Sequence, residues 1–484
     1  MRGRNNFIAW RLFPLLTLTP QLVLYFGVPI MERNTRMPKP RVAIETLGCK
    51  VNQADSEAVL RQFVDLDYQV VAPSEPADVY VVNTCTVTHV ADRKSRQLIR
   101  QMRRRGAEPI VAVIGCFVET AGEALERLDG VDLIVVARQR GDVARLAEEL
   151  RRERLGSGSS TEVGDGEPSA VEGSLDVVTG LEAVNERTRA FVNAQEGCAD
   201  FCTYCIVPTA RGRPRSVPAE QVISRVAELA AEGRKEIVLT GVNLGTYGRE
   251  PGATADNPSL AGLVRRILAE TPIPRLRLSS IEPHHLDDEV IALLQSDRIC
   301  RHLHLPLQSG SDSVLRRMGR RYTTAQFAAL VEAIRAISPL AAITTDLIVG
   351  FPGETGDEFR EGYAYLEALD PAGIHVFKYS PRAGTPATRL PDQVSEHVKK
   401  ARSERVLRLA EECRARFYGR NLGQSLDVLY EFAETAAGGE HRWIGLTDNY
   451  VRVSVADQGD LHNRILSTHL TECEGPCVSG EVEA

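Results

Sequence analysis

The sequence predicts an α/β protein in three parts: an N-terminal doubly wound parallel sheet, a central partial barrel of six strand–helix units, and a small all-β module at the C-terminus. Three observations predict it. Short β-branched runs alternate with amphipathic helical stretches over the first 150 residues, the mark of a parallel sheet covered on both faces. The same alternation resumes at 189 and continues to 378, with polar or glycine-rich text after every strand, as in β/α barrels, whose chemistry sits on those loops. From Gly423 the text becomes β-patterned and punctuated by glycine. The expected divisions are 1–40 as a non-conforming extension, the parallel-sheet domain at 41–150, a linker at 151–186 holding GSGSSTEVGDGEPSAVEG, a barrel at 187–420 and the tail at 421–484.

The elements follow in order. Residues 12–30 carry no charge and follow Arg2, Arg4 and Arg11, but Pro14, Pro20 and Pro29 would break a spanning helix. An extension from an upstream start is expected there, a membrane anchor being the alternative. Strands are expected at 41–47, 79–83 and 110–114, and each runs directly into a cysteine: Cys49, Cys85 and Cys116. Helices are expected at 55–66, 90–105, 119–128 and 142–154, with a further apolar run at 131–136. In doubly wound sheets the carboxyl ends of the strands line one crevice, so the three thiols can converge. Three thiolates over an apolar sheet suit an iron–sulfur cluster with one open iron; the plain alternative is three unrelated buried cysteines.

The central part opens with a strand at 189–194 and then GCADFCTYC, in which Cys198, Cys202 and Cys205 are spaced C-x3-C-x2-C. One short loop can wrap one metal centre with them. Zinc ribbons use four ligands in paired knuckles, and no second knuckle is nearby. Further strands are expected at 236–240, 275–279, 302–305, 343–349 and 373–378.

Composition bounds the function. The chain has 484 residues, 43% hydrophobic and 25% charged, which excludes collagen, a disordered tail protein and a polytopic membrane protein. A chain this long needs no disulfide staples, so its ten cysteines point to metal or reactivity in a reducing cytoplasm. The net charge of −7 resides in the tail, where three arginines face eleven acids. By contrast Arg93, Lys94, Arg96, Arg100, Arg103, Arg104 and Arg105 stand together with no acid between them. A polyanion contact is expected there, a solvated helix face being the alternative.

Cys198–Cys202–Cys205 with Tyr204 before the last cysteine resembles the radical S-adenosylmethionine signature. The wider text GCADFCTYCIVPTARGRPRS is similar to the methylthiotransferase family of that superfamily. TLGCKVNQADSE (46–57), NTCTVT (83–88) and IGC (114–116) resemble its N-terminal cluster domain. HLPLQSGSDSVLRRMGRRYT (304–323), DLIVGFPGET (346–355) and the tail resemble the remainder. The tail is similar to the small TRAM barrel, which in relatives helps to bind tRNA; its acidity here suggests shape or domain docking instead.

That resemblance implies two four-iron four-sulfur clusters. One, on Cys198, Cys202 and Cys205, binds S-adenosylmethionine and cleaves it to a 5′-deoxyadenosyl radical. The other, on Cys49, Cys85 and Cys116, donates sulfur. Tyr204, Gly241, Glu282, Gln308 and Asp346 are expected near the cofactor. KVNQ (50–53), ARGRPRS (210–216) and YSPRAGT (379–385) look most like the branch acting on N6-threonylcarbamoyladenosine in tRNA. The alternatives are the isopentenyladenosine branch, the ribosomal-protein aspartate branch, and a non-catalytic iron–sulfur RNA-binding or sensor protein. Arg211, Arg213 and Arg215, with the 93–105 cations, would contact phosphates. A cytoplasmic monomer served by an external electron donor, with no stable membrane partner, completes the expectation.

Overall fold

In a computed structural model the described residues are 38–484, apart from 107, 123, 124, 126, 157–187, 251–257, 436–440, 458 and 484. The expected extension, apart from residues 38–40, and most of the expected linker lie outside them. Residues 151–156, expected in the linker, instead continue the helix Val143–Gly156.

The β-branched runs of the first 150 residues form a five-stranded parallel sheet of order β2-β1-β3-β4-β5. Its strands are β1 (Arg41–Thr46), β2 (Gln69–Val70), β3 (Val79–Thr84), β4 (Ile110–Gly115) and β5 (Leu133–Ile134). Both faces are apolar because both are covered, which is why these strands read as continuous hydrophobic runs. Helices α1 (Lys50–Asp65) and α4 (Val143–Gly156) press Val59, Leu60, Phe63, Val143 and Ala147 onto Val42, Ile44, Val81 and Ala112. Helices α2 (His89–Arg103) and α3 (Cys116–Ala121) bury Ile99, Met102, Phe117 and Val118 on the opposite face. Two expectations change. The helix expected at 119–128 starts at Cys116 and ends at Ala121, where Gly122 takes a positive φ of 50°. The run 131–136 contributes only two paired residues.

The central part supplies β6 (Arg189–Glu196), β7 (Arg215–Ser216), β8 (Glu236–Gly241), β9 (Arg275–Leu278), β10 (His302–His304), β11 (Ala342–Val349) and β12 (Gly373–Lys378). Apart from the short antiparallel β7, these strands run parallel in two sheets, β7-β6-β8-β9 and β10-β11-β12. A bridge between Leu276 and Ile299 continues the curve from one to the other. The side chains alternate strictly, as a strand's period of two requires. Val192, Ile237, Leu239, Leu276, Leu278, Leu303, Leu305, Ile343, Leu347, Val349 and Ile374 face the surrounding helices in one core. Their alternates face the lumen, where Phe191, Val238 and Ile348 are apolar but most are polar: Arg189, Glu236, Arg277, His302, His304, Thr344, Asp346 and His375 bond to one another or to the tail.

The tail is a closed barrel of order β13-β14-β15-β17-β16: β13 (Ser425–Thr435), β14 (His441–Thr447), β15 (Arg452–Ala456), β16 (Ile465–Glu474) and β17 (Cys477–Val482). Closure leaves no sheet edge. Val428, Tyr430, Trp443, Val453 and Leu470 fill it, and they pack on Phe417 and Tyr418 of the preceding helix. The tail is tied to the floor of the central barrel by arginines. Arg275 donates to the carbonyls of Leu446 (3.1 Å) and Asp427 (2.6 Å), and Arg277 to those of Asp448 and Thr447. Arg189 pairs with Glu431 and Arg301 with Asp448, at 2.7 and 2.6 Å. Part of the tail's acidity is therefore used inside the molecule. No helix among the described residues is long and apolar enough to cross a membrane.

Candidate active site

The strand order of the N-terminal sheet reverses between β1 and β3, and the crevice at such a reversal is where open α/β sheets bind ligands. Cys49 follows β1, Cys85 follows β3 and Cys116 begins α3 directly after β4. Register aligns these ends, Thr46 with Asn83 and Thr84 with Gly115. Gly48, at φ 112°, lets the chain pass close to Cys85: a Cβ there would lie 2.9 Å from the Cys85 Cβ. Asn52 fixes the turn by donating to the carbonyls of Leu47 (2.7 Å) and Thr84 (3.0 Å). Burial pushes the Cys85 thiol up to about 12 and raises that of Cys116 as well; Cys49 and Cys116 add to the rise at Cys85, and Cys49 adds to that at Cys116.

The second triad occupies the loop after β6. Gly197 holds a φ of 73°, and a Cβ there would lie 2.1 Å from the Arg213 carbonyl, so the position needs glycine on both counts. The loop is pinned by Thr203, whose N–H donates to the Met318 carbonyl and whose carbonyl accepts from Ala387, both at 2.9 Å. The Cys198 sulfur accepts from the Asp200 N–H (3.4 Å) and the Asn243 amide (3.6 Å). The Cys202 sulfur accepts from Arg320 at 3.2 Å. Arg320 is buried and also pairs with Glu282. Burial pushes the thiols of Cys198 and Cys205 up to about 11 and about 12.

The donor sets speak to the kind of metal. Among the described residues, the groups of three ligand atoms mutually within 4.8 Å are Asp200–His284–His285 and His304–Asp346–His375; neither contains a cysteine. Four sulfurs at 2.3 Å around one zinc would lie closer together than that. Both thiol triads are thus spread more widely than a single-ion cage, and each offers three thiols. Both fit a polynuclear cluster.

The triads meet through Arg211, six residues past Cys205. Its guanidinium donates to the Cys116 sulfur (3.2 Å), to Asn52 (2.5 Å) and Asp55 (3.0 Å) of α1, and to Glu196 at the end of β6 (3.1 Å). The side chain is only 3% exposed. Arg211 was expected to bind phosphate; its burial in this network corrects that. A second tie comes from the loop after β12, where Arg382 donates to Thr86 (2.6 Å), just before α2, and forms an ion pair with Asp92 (2.8 Å) in its first turn.

Other expected residues take varied places. Arg213 and Arg215 are exposed, as are Arg93, Arg96, Arg100 and Arg104. Lys94 is half-buried. Arg103 pairs with Asp132 at 3.2 Å, and Arg105 donates to the Pro73 carbonyl. Tyr204 meets Phe351 edge-on at 6.4 Å, in a small core with Met318 and Tyr379. A Cβ on Gly241 would lie 3.0 Å from the Gln195 Cβ, so this glycine serves the β6–β8 contact. Gln308 holds a left-handed φ of 67° and donates its N–H to the Asp346 carbonyl. Asp346 is bonded by His304 and His375 at 3.2 Å each, and these imidazoles hold its carboxyl well below the usual range despite burial. Asn243, Arg320, His304 and His375 escaped the sequence reading; their one signal was a position within the polar text at strand ends.

Comparison with known proteins agrees with this geometry. Residues 41–136 match the Uncharacterized protein family UPF0004, and 192–366 match the Radical SAM superfamily. The chain is 38% identical to the threonylcarbamoyladenosine tRNA methylthiotransferase MtaB of Bacillus subtilis, over 91% of this chain and 96% of that protein. It is 38% identical to MtaB of Aquifex aeolicus, over 80% of this chain and 92% of the relative. It is 32% identical to the tRNA-2-methylthio-N(6)-dimethylallyladenosine synthase of Methylacidiphilum infernorum, over 81% and 84%. The chain belongs to the radical S-adenosylmethionine methylthiotransferase family. It is an enzyme of that class, with S-adenosylmethionine and an iron–sulfur cluster as cofactors.

Proposed function

We propose that this enzyme places a methylthio group on C2 of N6-threonylcarbamoyladenosine in tRNA, in the cytoplasm, as a monomer supplied by an external electron donor. Cys198, Cys202 and Cys205 would hold the cluster that binds S-adenosylmethionine, and Cys49, Cys85 and Cys116 a second cluster that serves as sulfur donor. When bound, the first cluster supplies the electron for reductive cleavage of the sulfonium.

The observation that carries this reading is Arg211, which joins the loop of one triad to a sulfur of the other at 3.2 Å. A sulfur source held beside a radical source is what methylthio transfer requires. Around them the chain's own residues position and shield. Arg320 and Asn243 give N–H bonds to the sulfurs of Cys202 and Cys198, and such bonds tune thiolate-held clusters. Arg211 and Arg382 keep the N-terminal sheet over the barrel mouth, which excludes water from a reactive centre. The exposed arginines of α2 offer phosphate contacts that position RNA without reading its sequence. The relatives divide between threonylcarbamoyl and dimethylallyl substrates. A lumen lined by Arg, Glu, His, Asp and Thr favours the substituent that bears a carboxylate over a branched hydrocarbon.

Anaerobically reconstituted protein with reductant, S-adenosylmethionine and bulk tRNA, followed by nucleoside mass spectrometry, tests this. The expected product is the 2-methylthio derivative of threonylcarbamoyladenosine. An adduct on isopentenyladenosine alone, or on a ribosomal protein with no need for tRNA, contradicts it.

A further inference from the structure

The lumen floor gathers three polar groups from three parts of the chain. Lys50, the first residue of α1, extends away from Cys49 to within electrostatic reach of Tyr450, Arg277, Arg189 and Glu236. Tyr450 comes from the turn between β14 and β15, at φ 71°, and enters the floor from below. Its ring stacks on His302 at 4.3 Å with planes 12° apart, and Arg277 lies over it at 4.9 Å. His302, 2% exposed, completes the set from β10.

These groups differ from their neighbours in one respect. Arg189 is occupied by Glu431, Arg277 by Glu236 and Arg275 by tail carbonyls. Lys50 and Tyr450 are half-buried, and among the described residues neither side chain has an ion pair or hydrogen bond. The Nδ1 of His302 is buried without a partner, while its Nε2 bonds Thr344 at 2.9 Å. Buried polar groups are as a rule bonded, and an exception calls for an explanation. An ammonium and a phenol hydroxyl are both donors, the pair a carboxylate needs. Burial keeps the His302 imidazole neutral. Donating Nε2–H to Thr344 leaves Nδ1 as an acceptor, the partner a hydroxyl needs.

We propose that Lys50, Tyr450 and His302 form a site for the threonyl end of the substrate, with Lys50 and Tyr450 binding its carboxylate and His302 its hydroxyl. This rests on the threonylcarbamoyl reading above and names the residues that select it. The strands of the lumen run from this floor to the thiol loops, so a base held at the mouth would direct its N6 substituent downward. The site also gives the acidic tail a task besides RNA affinity: it carries Tyr450.

The test is a chemical cycle on the holoenzyme. Binding is measured at fixed salt for an anticodon stem–loop RNA with threonylcarbamoyladenosine, the same RNA with its carboxylate as methyl ester, and the unmodified RNA. A hydrogen bond to a charged group is worth roughly tenfold to hundredfold in affinity. The ester is expected to cost the wild type that factor and to cost Lys50→Met almost nothing. Tyr450→Phe, remote from the thiols, is expected to show a partial loss of the same discrimination, and Lys50→Arg to retain it. An ester penalty equal in wild type, Lys50→Met and Tyr450→Phe overturns the inference and leaves the proposed substrate standing. A wild type that does not distinguish the threonylcarbamoyl RNA from the unmodified one overturns the substrate reading itself.

Discussion

Replacing Arg211 with methionine keeps the length of the side chain and removes its fork. In the structure that fork ends on Asp55, Glu196, Asn52 and the Cys116 sulfur. Removing one partner of a buried ion pair costs about 3–5 kcal/mol, because the remaining charge is left uncompensated. Arg140 still reaches Asp55 at 2.5 Å and Glu196 at 3.4 Å, which places the loss at the lower end, about 3 kcal/mol. For a cooperative unit of roughly 200 residues that corresponds to a fall in Tm of about 6–12 °C. Cys116 also loses an N–H donor, and outer-shell losses of this kind cost about 10–100-fold in metal affinity or activity. Calorimetry of anaerobic protein beside iron analysis reads both effects. Arg211→Lys is expected to fall between, since an ammonium cannot reproduce the planar fork. An R211M protein that melts and loads iron like the wild type would refute the link between the triads.

Two further outcomes are expected. Glu236 is fully buried against Arg277 at 2.6 Å; burial alone would raise its carboxyl, but Arg277, with Arg189 and Arg275, holds it at about 2. A carboxyl depressed by folding contributes stability above its unfolded value of about 4.3, and that contribution fades as pH falls toward 2. Acid unfolding should therefore be less steep in Glu236→Gln than in the wild type between pH 5 and pH 2, from a lower starting stability; parallel curves would contradict the assignment. Changing Arg93, Arg96, Arg100 and Arg104 together to glutamine should weaken tRNA binding and shrink the slope of log affinity against log salt by roughly 3. An unchanged slope would remove α2 from the RNA surface.

Much of the fold was legible because it rests on periodicity. The runs that became β1, β3, β4 and the six parallel barrel strands are apolar and β-branched or alternate cleanly, and glycine or polar text marks their ends. The two-residue strands β2 and β7 were not, since two residues carry no period. Placing Cys49, Cys85 and Cys116 at one sheet edge needed only topology. What a charge does could not be read the same way. Arg211 and Arg213 look alike in sequence, yet one is buried against Asp55, 156 residues away, and the other is exposed. Lys50 and Tyr450 lie 400 residues apart and meet only because the N-terminal sheet closes one side of the barrel and the tail its floor. At Gly241 the close approach of Gln195 of β6 could not be read, because a sequence does not say which backbone comes near.

The proposed function needs two separate thiol triads, each carrying a four-iron cluster, one for radical generation and one for sulfur supply. Iron and sulfide analysis of strictly anaerobic protein, wild type beside a variant with Cys49, Cys85 and Cys116 changed to alanine, tests it most directly. About eight irons per chain in the wild type and about four in the variant, with methylthio transfer abolished in the variant, is the predicted result. About four irons in the wild type, or a variant that still transfers sulfur, would contradict it.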